Sequence, residues 1–231
     1  PAGAEIVVEG WLRPDRMMQE GPFGEWTGYY SGSLRPVPLI EIERVYYRND
    51  PIILGAPPGK PPNDYSYMRA LLKSAMIQDD LVKLGVRDVR GVWAHETGGG
   101  RLLIVVSIRQ RFCGHARQVG YLTAQCPAAA YMNRFVIVVD DDIDVFNEAD
   151  VMWAVSTRVQ ADRDIIVIPD AWTNELDPSA HQPNDRTRRG GVNAKWMVDA
   201  TRPADLPVQP RADVPEAVWR GIDPAEFLAR G

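Results

Sequence analysis

The feature that most constrains this chain is the run from Gly55 to Pro62, which holds four prolines and two glycines in eight residues. Proline fixes φ at about −65° and has no backbone N–H to give, so neither a helix nor a strand ladder passes through such a run. The chain is therefore divided before any other pattern is considered, and its two sides carry different hydrophobic periods. Upstream, residues 4–12 form a β-branched run interrupted by Glu5 and Glu9, which suits a strand, with Pro14 expected to end it. Residues 39–48 alternate apolar and charged side chains and read as a second strand. Downstream, Asn63 or Asp64 is placed to cap a helix in which Met68, Leu71, Leu72 and Ala75 recur at helical spacing.

Beyond Gly85, strands at 89–94, 101–109, 134–139 and 164–168 alternate with helices at 115–125 and 148–158, the pattern of a layered α/β domain. After Pro169 the periodicity fades, and residues 177–191 read as a loop or extended arm. The last stretch carries Pro203, Pro207, Pro210 and Pro215, with short helical pieces near 217–220 and 224–230. It looks unable to fold alone and is expected to pack on a neighbouring subunit. The fold class that follows is mixed α/β (α+β), with a β portion at residues 1–62, an α/β assembly domain at 63–200 and a C-terminal arm at 201–231.

Composition narrows the function. A chain of 231 residues with 45% hydrophobic content can bury a substantial core. Its net charge of −5 comes from 26 basic and 31 acidic side chains with no basic stripe, which argues against nucleic acid as a partner. The longest apolar runs, at 102–106 and 135–139, fall far short of the roughly 20 residues a membrane helix needs, so no membrane span is expected. Cys113 and Cys126 lack metal-ligand spacing and read as reduced thiols of a cytoplasmic protein. No signal peptide is expected in the first thirty residues.

The densest chemical signal is Glu20-Gly-Pro-Phe-Gly-Glu25-Trp-Thr-Gly-Tyr-Tyr30. Gly21, Pro22 and Gly24 take the backbone out of regular structure, so two carboxylates can converge on one cavity while Phe23, Trp26, Tyr29 and Tyr30 supply apolar walls. Burial beside aromatics raises a carboxyl pKa and a nearby arginine lowers it, so two such groups can divide the work of holding a proton and staying ionised. On spacing alone, a glycine-rich turn with glutamates facing water is the simpler reading, since exposed glutamates are the norm.

EGPFGEWTGYY resembles the signature of the UbiD family of non-oxidative decarboxylases. The likeness continues through EIVVEG at 5–10, YRNDPI at 47–52, GKPPND at 59–64, GHAR at 114–117, FVIVVDDDIDV at 135–145, DVMWAVSTR at 150–158, LDPSA at 176–180 and KWMVDATRP at 195–203. The resemblance implies that residues 1–62 are the C-terminal part of a split β-barrel cofactor domain. It implies reversible removal of a carboxyl group from an aromatic or α,β-unsaturated acid with prenylated FMN as the electron sink. By similarity Glu25 is the proton donor, and Glu20 pairs with an arginine that orients the substrate carboxylate. Met68, Asn174 and Leu176 are the candidate substrate contacts, Met68 and Leu176 serving equally well as core residues.

Family members are roughly twice as long. The arginine, and the residues that hold the cofactor phosphate with its manganese and potassium, precede the glutamate motif and have no counterpart here, so no cofactor-binding residue and no metal ligand is assigned. A phosphate-contacting lysine of the ferulic acid decarboxylase branch would align near Pro127, so that contact is not carried over. A companion chain or the rest of a longer polypeptide is expected to supply the missing half, in a homo-oligomer or a mixed assembly. The rival expectation is a non-catalytic interaction subunit of a multi-chain carboxylase.

Three further features read as structural. Asp140, Asp141 and Asp142 end a strand and are expected to cap backbone amides, not to bind metal. His115 starts a helix and is expected to cap or pack, while His95 and His181 sit in expected loops without a role. Gly98 to Gly100 reads as a tight hairpin.

Overall fold

The computed structural model describes residues 3–31, 34–55, 59–174, 176–180, 191–204, 210–222 and 225. The first portion holds β1 (Ile6–Glu20), the two-residue strands β2 (Phe23–Gly24) and β3 (Tyr30–Ser31), and β4 (Arg35–Tyr47). β1 pairs antiparallel with β4, and β2 with β3. Contrary to expectation, β1 does not stop at Pro14. The register jumps from Arg13↔Leu39 to Met17↔Pro38, so Pro14 sits in an irregularity that asks no N–H of it. A second shift falls between Glu9 and Gly10, where a Cβ on Gly10 would overlap the Glu41 carbonyl. Both faces of this ribbon carry exposed apolar side chains, among them Trp11, Leu12, Ile40 and Ile42.

The second portion runs α1 (Asp64–Lys83), β5 (Val89–Ala94), a 3-10 turn (Glu96–Gly98), β6 (Leu103–Ile108), α2 (His115–Gln125), β7 (Phe135–Asp140), α3 (Glu148–Arg158), α4 (Ala161–Asp164), β8 (Ile165–Trp172) and β9 (Val192–Ala200). A short α5 (Glu216–Arg220) follows. The strands form one sheet in the order β5-β6-β7-β9-β8, parallel from β6 to β9 and antiparallel at both edges. Alternate residues of the parallel strands face opposite layers. Ile104, Val106, Val136 and Val138 meet Ile77, Leu81 and Val119 of α1 and α2. Val105, Ile137, Val139 and Val198 meet Val151 and Ala154 of α3. Coverage on both faces is why these strands read as continuous apolar runs.

Asn63 caps α1, its Oδ1 accepting from Ser66 N at 3.0 Å while Ser66 Oγ accepts from Asn63 N at 2.8 Å. The buried face of α1 is Ser66, Ala70, Ser74, Ile77 and Leu81. The apolar row read from spacing, Met68, Leu71 and Leu72, points outward instead. The small residues win because they let β5 approach: Ser74 Oγ donates to Ala70 O at 2.6 Å and accepts from Ala94 N at 2.9 Å.

Two expectations for the C-terminal third are corrected. β8 runs through Pro169 to Trp172, with a register shift between Ile168 and Ala171. Residues 192–200, read as irregular, are β9, paired on both edges. Lys195 and Asp199 broke its apolar signal. Lys195 is nonetheless only 2% exposed, its Nζ donating to Ala124 O at 2.7 Å and Ala130 O at 2.5 Å. α5 lies where a helical piece was expected, whereas His181 and all but one residue of 224–230 lie outside the described residues. No helix among the described residues is long and apolar enough to cross a membrane.

Candidate active site

The glutamate segment folds as a miniature hairpin. Gly21 carries a φ of +89°, which turns the chain out of β1 at Glu20. β2 then pairs with β3, and the turn between them is closed by Glu25 N donating to Tyr29 O at 2.9 Å and Gly28 N donating to Glu25 O at 2.8 Å. Glu20 and Glu25, both half-buried, thus stand before the hairpin and at its turn. Register places Glu20 opposite Arg35 of β4, whose Nε lies 3.4 Å from Glu20 Oε2.

Glycines let the turn dock on the α/β layer. Gly99 has a φ of +65°, and a Cβ there would overlap the Trp26 ring. A Cβ on Gly100 would lie 2.9 Å from Ala70 N, so this loop presses onto α1 as closely as it holds Trp26. The connection from β5 to β6 is therefore a broader hairpin than the tight one expected. His95 O organises it by accepting from Gly98 N at 3.1 Å and Gly100 N at 2.9 Å. Across the turn, a Cβ on Gly28 would lie 2.7 Å from the Lys60 Cα. Thr27, Gly28, Tyr29, Lys60, Pro61 and Thr97 line an open pocket of about 360 Å³.

Trp26 is the hub of an aromatic and cationic cluster. The guanidinium carbons of Arg69 and Arg101 lie 5.3 Å and 5.4 Å from its ring centroid. Arg69 also stacks on Tyr65 at 4.1 Å and Arg101 on Tyr131 at 6.0 Å, while Tyr131 packs on Trp172 at 4.8 Å. Burial, and next the nearby charge of Arg69, pull the Arg101 guanidinium below its ordinary pKa, with Tyr65 and Tyr131 opposing. The apolar wall beside the turn is thus Trp26, Tyr65, Tyr131 and Trp172. Of the side chains expected to build it, Tyr29 lines the open pocket at the turn, while Phe23 and Tyr30 are 59% and 77% exposed.

Of the expected substrate contacts, Asn174 reaches this cluster, its Nδ2 donating to the Tyr131 hydroxyl. Leu176 is half-buried and follows through its backbone, Leu176 N donating to Asn174 Oδ1 at 2.9 Å. Met68 is 53% exposed on α1, next to Arg69, so a core role for it is not what the fold provides. The loop is fixed by buried Asp177, which accepts from Arg134 Nη1 at 3.0 Å, Thr173 Oγ1 at 3.0 Å and Asn193 Nδ2 at 2.9 Å. Burial pushes the Asp177 carboxyl up, but hydrogen bonds from Ser179 and Asn193 and the charge of Arg134 together hold it below its ordinary value. Sequence reasoning missed Arg35, Arg69, Arg101 and Tyr131. Only Arg35 had a usable signal, since pairing residues 4–12 with 39–48 as a hairpin brings it toward Glu20.

The remaining polar groups are structural. Asp140 accepts from Arg158 Nη1 at 3.0 Å, Gln110 Nε2 at 2.9 Å and Arg202 N at 2.7 Å, and Asp142 accepts from Arg158 Nη2 at 2.9 Å. The acids therefore join strand ends through side chains of both signs, a larger part than capping amides. His115 is buried and packs on Phe112 at 4.8 Å. His95, expected in a loop, is fully buried, with Nδ1 3.4 Å from Glu148 Oε1. Cys113 and Cys126 are both free thiols. No group of three or more His, Cys, Asp or Glu side chains among the described residues could hold a metal ion.

Two family models match: the 3-octaprenyl-4-hydroxybenzoate carboxy-lyase Rift-related domain over residues 1–61 and the C-terminal domain of the same carboxy-lyases over 66–200. A phenolic acid decarboxylase of Bacillus subtilis is 37% identical over 203 residues, covering 88% of this chain and 41% of that protein. The UbiD-class enzyme HmfF of Pelotomaculum thermopropionicum, solved in complex with FMN, superposes with a TM-score of 0.78 at 33% identity, over 98% of this chain and 48% of that one. An evolved dimeric form of HmfF in complex with prFMN gives 0.73 at 28% identity, over 98% and 45%. The chain spans less than half the length of these proteins.

Proposed function

The chain belongs to the UbiD family of carboxy-lyases, spanning its Rift-related and C-terminal domains, and from this we propose that it is part of a prenylated-FMN-dependent decarboxylase of aromatic acids. The observation that carries the reading is the docked hairpin: two glutamates five positions apart, one just before a turn and one in it, with the turn held against an aromatic cluster. The substrate class is supported by the phenolic acid decarboxylase relative and by the Trp26, Tyr65, Tyr131 and Trp172 rings, which suit a flat aromatic group. The flavin is supported by the FMN and prFMN complexes of HmfF.

This chain fits one side of such a site. Its acids and rings would be the side chains nearest the reacting part of a flavin, and its described residues offer no cluster for a metal. Most of the contacts to the cofactor phosphate, to manganese and to potassium would then come from residues outside it. When bound, prenylated FMN supplies the sink for the electron pair left as carbon dioxide departs. The bond from the ring carbon to the carboxyl carbon breaks, and Glu25 gives its proton to that ring carbon, forming the C–H bond of the product. Solvent returns a proton to Glu25. Glu20 is the positioning carboxylate, the acceptor for a guanidinium, a part Arg35 plays within this chain. Trp26, docked on Gly99, would exclude water from one side of a substrate bound beside the turn.

In the same reading residues 1–62 carry the acids, 63–200 form the assembly domain and 201–231 the arm. Arg211 of the arm stacks on Trp153 of α3 at 4.8 Å. A second copy of the chain, as in the dimeric HmfF, or a companion chain is the partner. The test is turnover of a panel of aromatic and acrylic acids by the full-length protein loaded with prenylated FMN, comparing it with Glu25→Gln. Replacing a general acid should cost about 100- to 10,000-fold in kcat with the flavin retained. Equal turnover would remove Glu25 from the mechanism. Inactivity of the unaltered holoenzyme toward every acid would favour an interaction subunit.

A further inference from the structure

Three cations meet beside the glutamate turn, and among the described residues none of them forms an ion pair with a carboxylate. Arg69 and Lys73 lie one turn apart on α1, and the close approach of Gly100 to Arg69 and Ala70 brings Arg101 to the same place. Arg69 Nη2 donates to the Tyr65 hydroxyl and Lys73 Nζ to Ala128 O, while Asp80, whose charge acts on Lys73 without pairing with it, accepts from Ala128 N at 2.8 Å. Arg69 Nη1 and Arg101 Nε are buried with no hydrogen-bond partner. Buried N–H groups without acceptors are uncommon, and like charges held together in a half-buried place raise the cost further. A structural role alone does not account for this, because cation–π stacking satisfies a ring face and leaves the in-plane N–H groups unmet.

We propose that Arg69 and Arg101, supported by Lys73, form an oxyanion site that takes a carboxylate or phosphate of a planar ligand lying against Trp26, Tyr65 and Tyr131. The guanidinium fork matches a carboxylate or phosphate, and the rings beside it match a flat group bonded to that oxyanion. Two sources carry this chemistry: a second acidic group on the substrate, or the phosphate of a nucleotide-like cofactor. The site stands on geometry alone. Its use in selecting aromatic diacids over monoacids rests on the decarboxylase reading.

Calorimetric titration of the full-length protein, free of flavin, separates the two. Isophthalate is expected to bind at least tenfold more tightly than benzoate, to weaken as potassium chloride is raised, and to be displaced by inorganic phosphate. Arg101→Met, which keeps the stem and removes the fork, should lose at least tenfold in isophthalate affinity, and Arg101→Lys should recover part of it. If FMN displaces isophthalate, the oxyanion is the cofactor's phosphate, and if the two bind together it is the substrate's second carboxylate. Thermal unfolding checks that each variant folds, and if Arg101→Met does not, Arg69→Gln decides in its place. Equal affinity for isophthalate and benzoate, or unaltered affinity in a folded variant, overturns the proposal. Because the readout is binding, a protein that decarboxylates nothing yet prefers isophthalate keeps the site and loses only the function proposed above.

Discussion

Lys195 illustrates what a single buried side chain does to this protein. Burial, opposed by the field of Cys126, brings its ammonium down to about 8 from an ordinary 10.5. A neutral amine has two N–H bonds for its two carbonyl partners, whereas the ammonium has a third left over in a place 2% exposed. Below pH 8 the folded state bears the cost of that charge. Between 8 and 10.5 the unfolded chain holds a proton that the folded chain has released, so stability rises with pH across that window and levels off above it. Lys195 should contribute about 3 kcal/mol to the rise. Urea unfolding of the native protein from pH 7.5 to 10.5 should show it, and Lys195→Met should flatten the profile. Nothing in the sequence marks this lysine as buried, since polar residues in a strand are ordinarily its solvent face. The glutamate pair was legible because glycine and proline fix its backbone locally. Arg69 and Arg101 were not, because a fold alone brings residues 69, 101 and 26 together.

At the scale of elements, local chemistry was read well and phase was not. The cap of α1 was narrowed to Asn63 or Asp64 from their position after the prolines; Asn63 is the one that caps, and Asn63→Ala is expected to cost about 0.5–2 kcal/mol, read as a lowered midpoint in thermal unfolding. Helical spacing also gave the period of α1, but two rows share that period. Which row faces inward was decided by β5, whose backbone needs the small Ser74, and a sequence pattern cannot contain that contact. The same limit explains β1 and β8. Proline was taken as a stop signal, yet both strands absorb it at a shift of register, a device that exists only once a partner strand is present. Strands β6 and β7 were legible because parallel strands covered on two faces leave long apolar runs in the chain.

For the molecule as a whole, the two portions differ in how much they enclose. The five-stranded sheet is covered by helices on both sides, whereas the β1–β4 ribbon leaves Trp11, Leu12, Ile40 and Ile42 each more than half exposed. Two strands alone are marginal in water. In a protein of these 231 residues, amides of β1 and β4 should therefore exchange with deuterium on the order of 100-fold faster than those of β6 and β7, measured by mass spectrometry of peptic fragments. Comparable protection in both portions would mean that the ribbon is already covered. Among the contacts that couple the portions is the seat of Trp26 on Gly99, which skips the proline run entirely. Its consequence is one of inheritance. Residues 55–62 look like the natural seam at which to exchange halves between relatives, but a hybrid spliced there takes its tryptophan from one parent and its glycine from the other. Any descendant that changes one of these two positions must find an answering change some seventy residues away, on the far side of the seam.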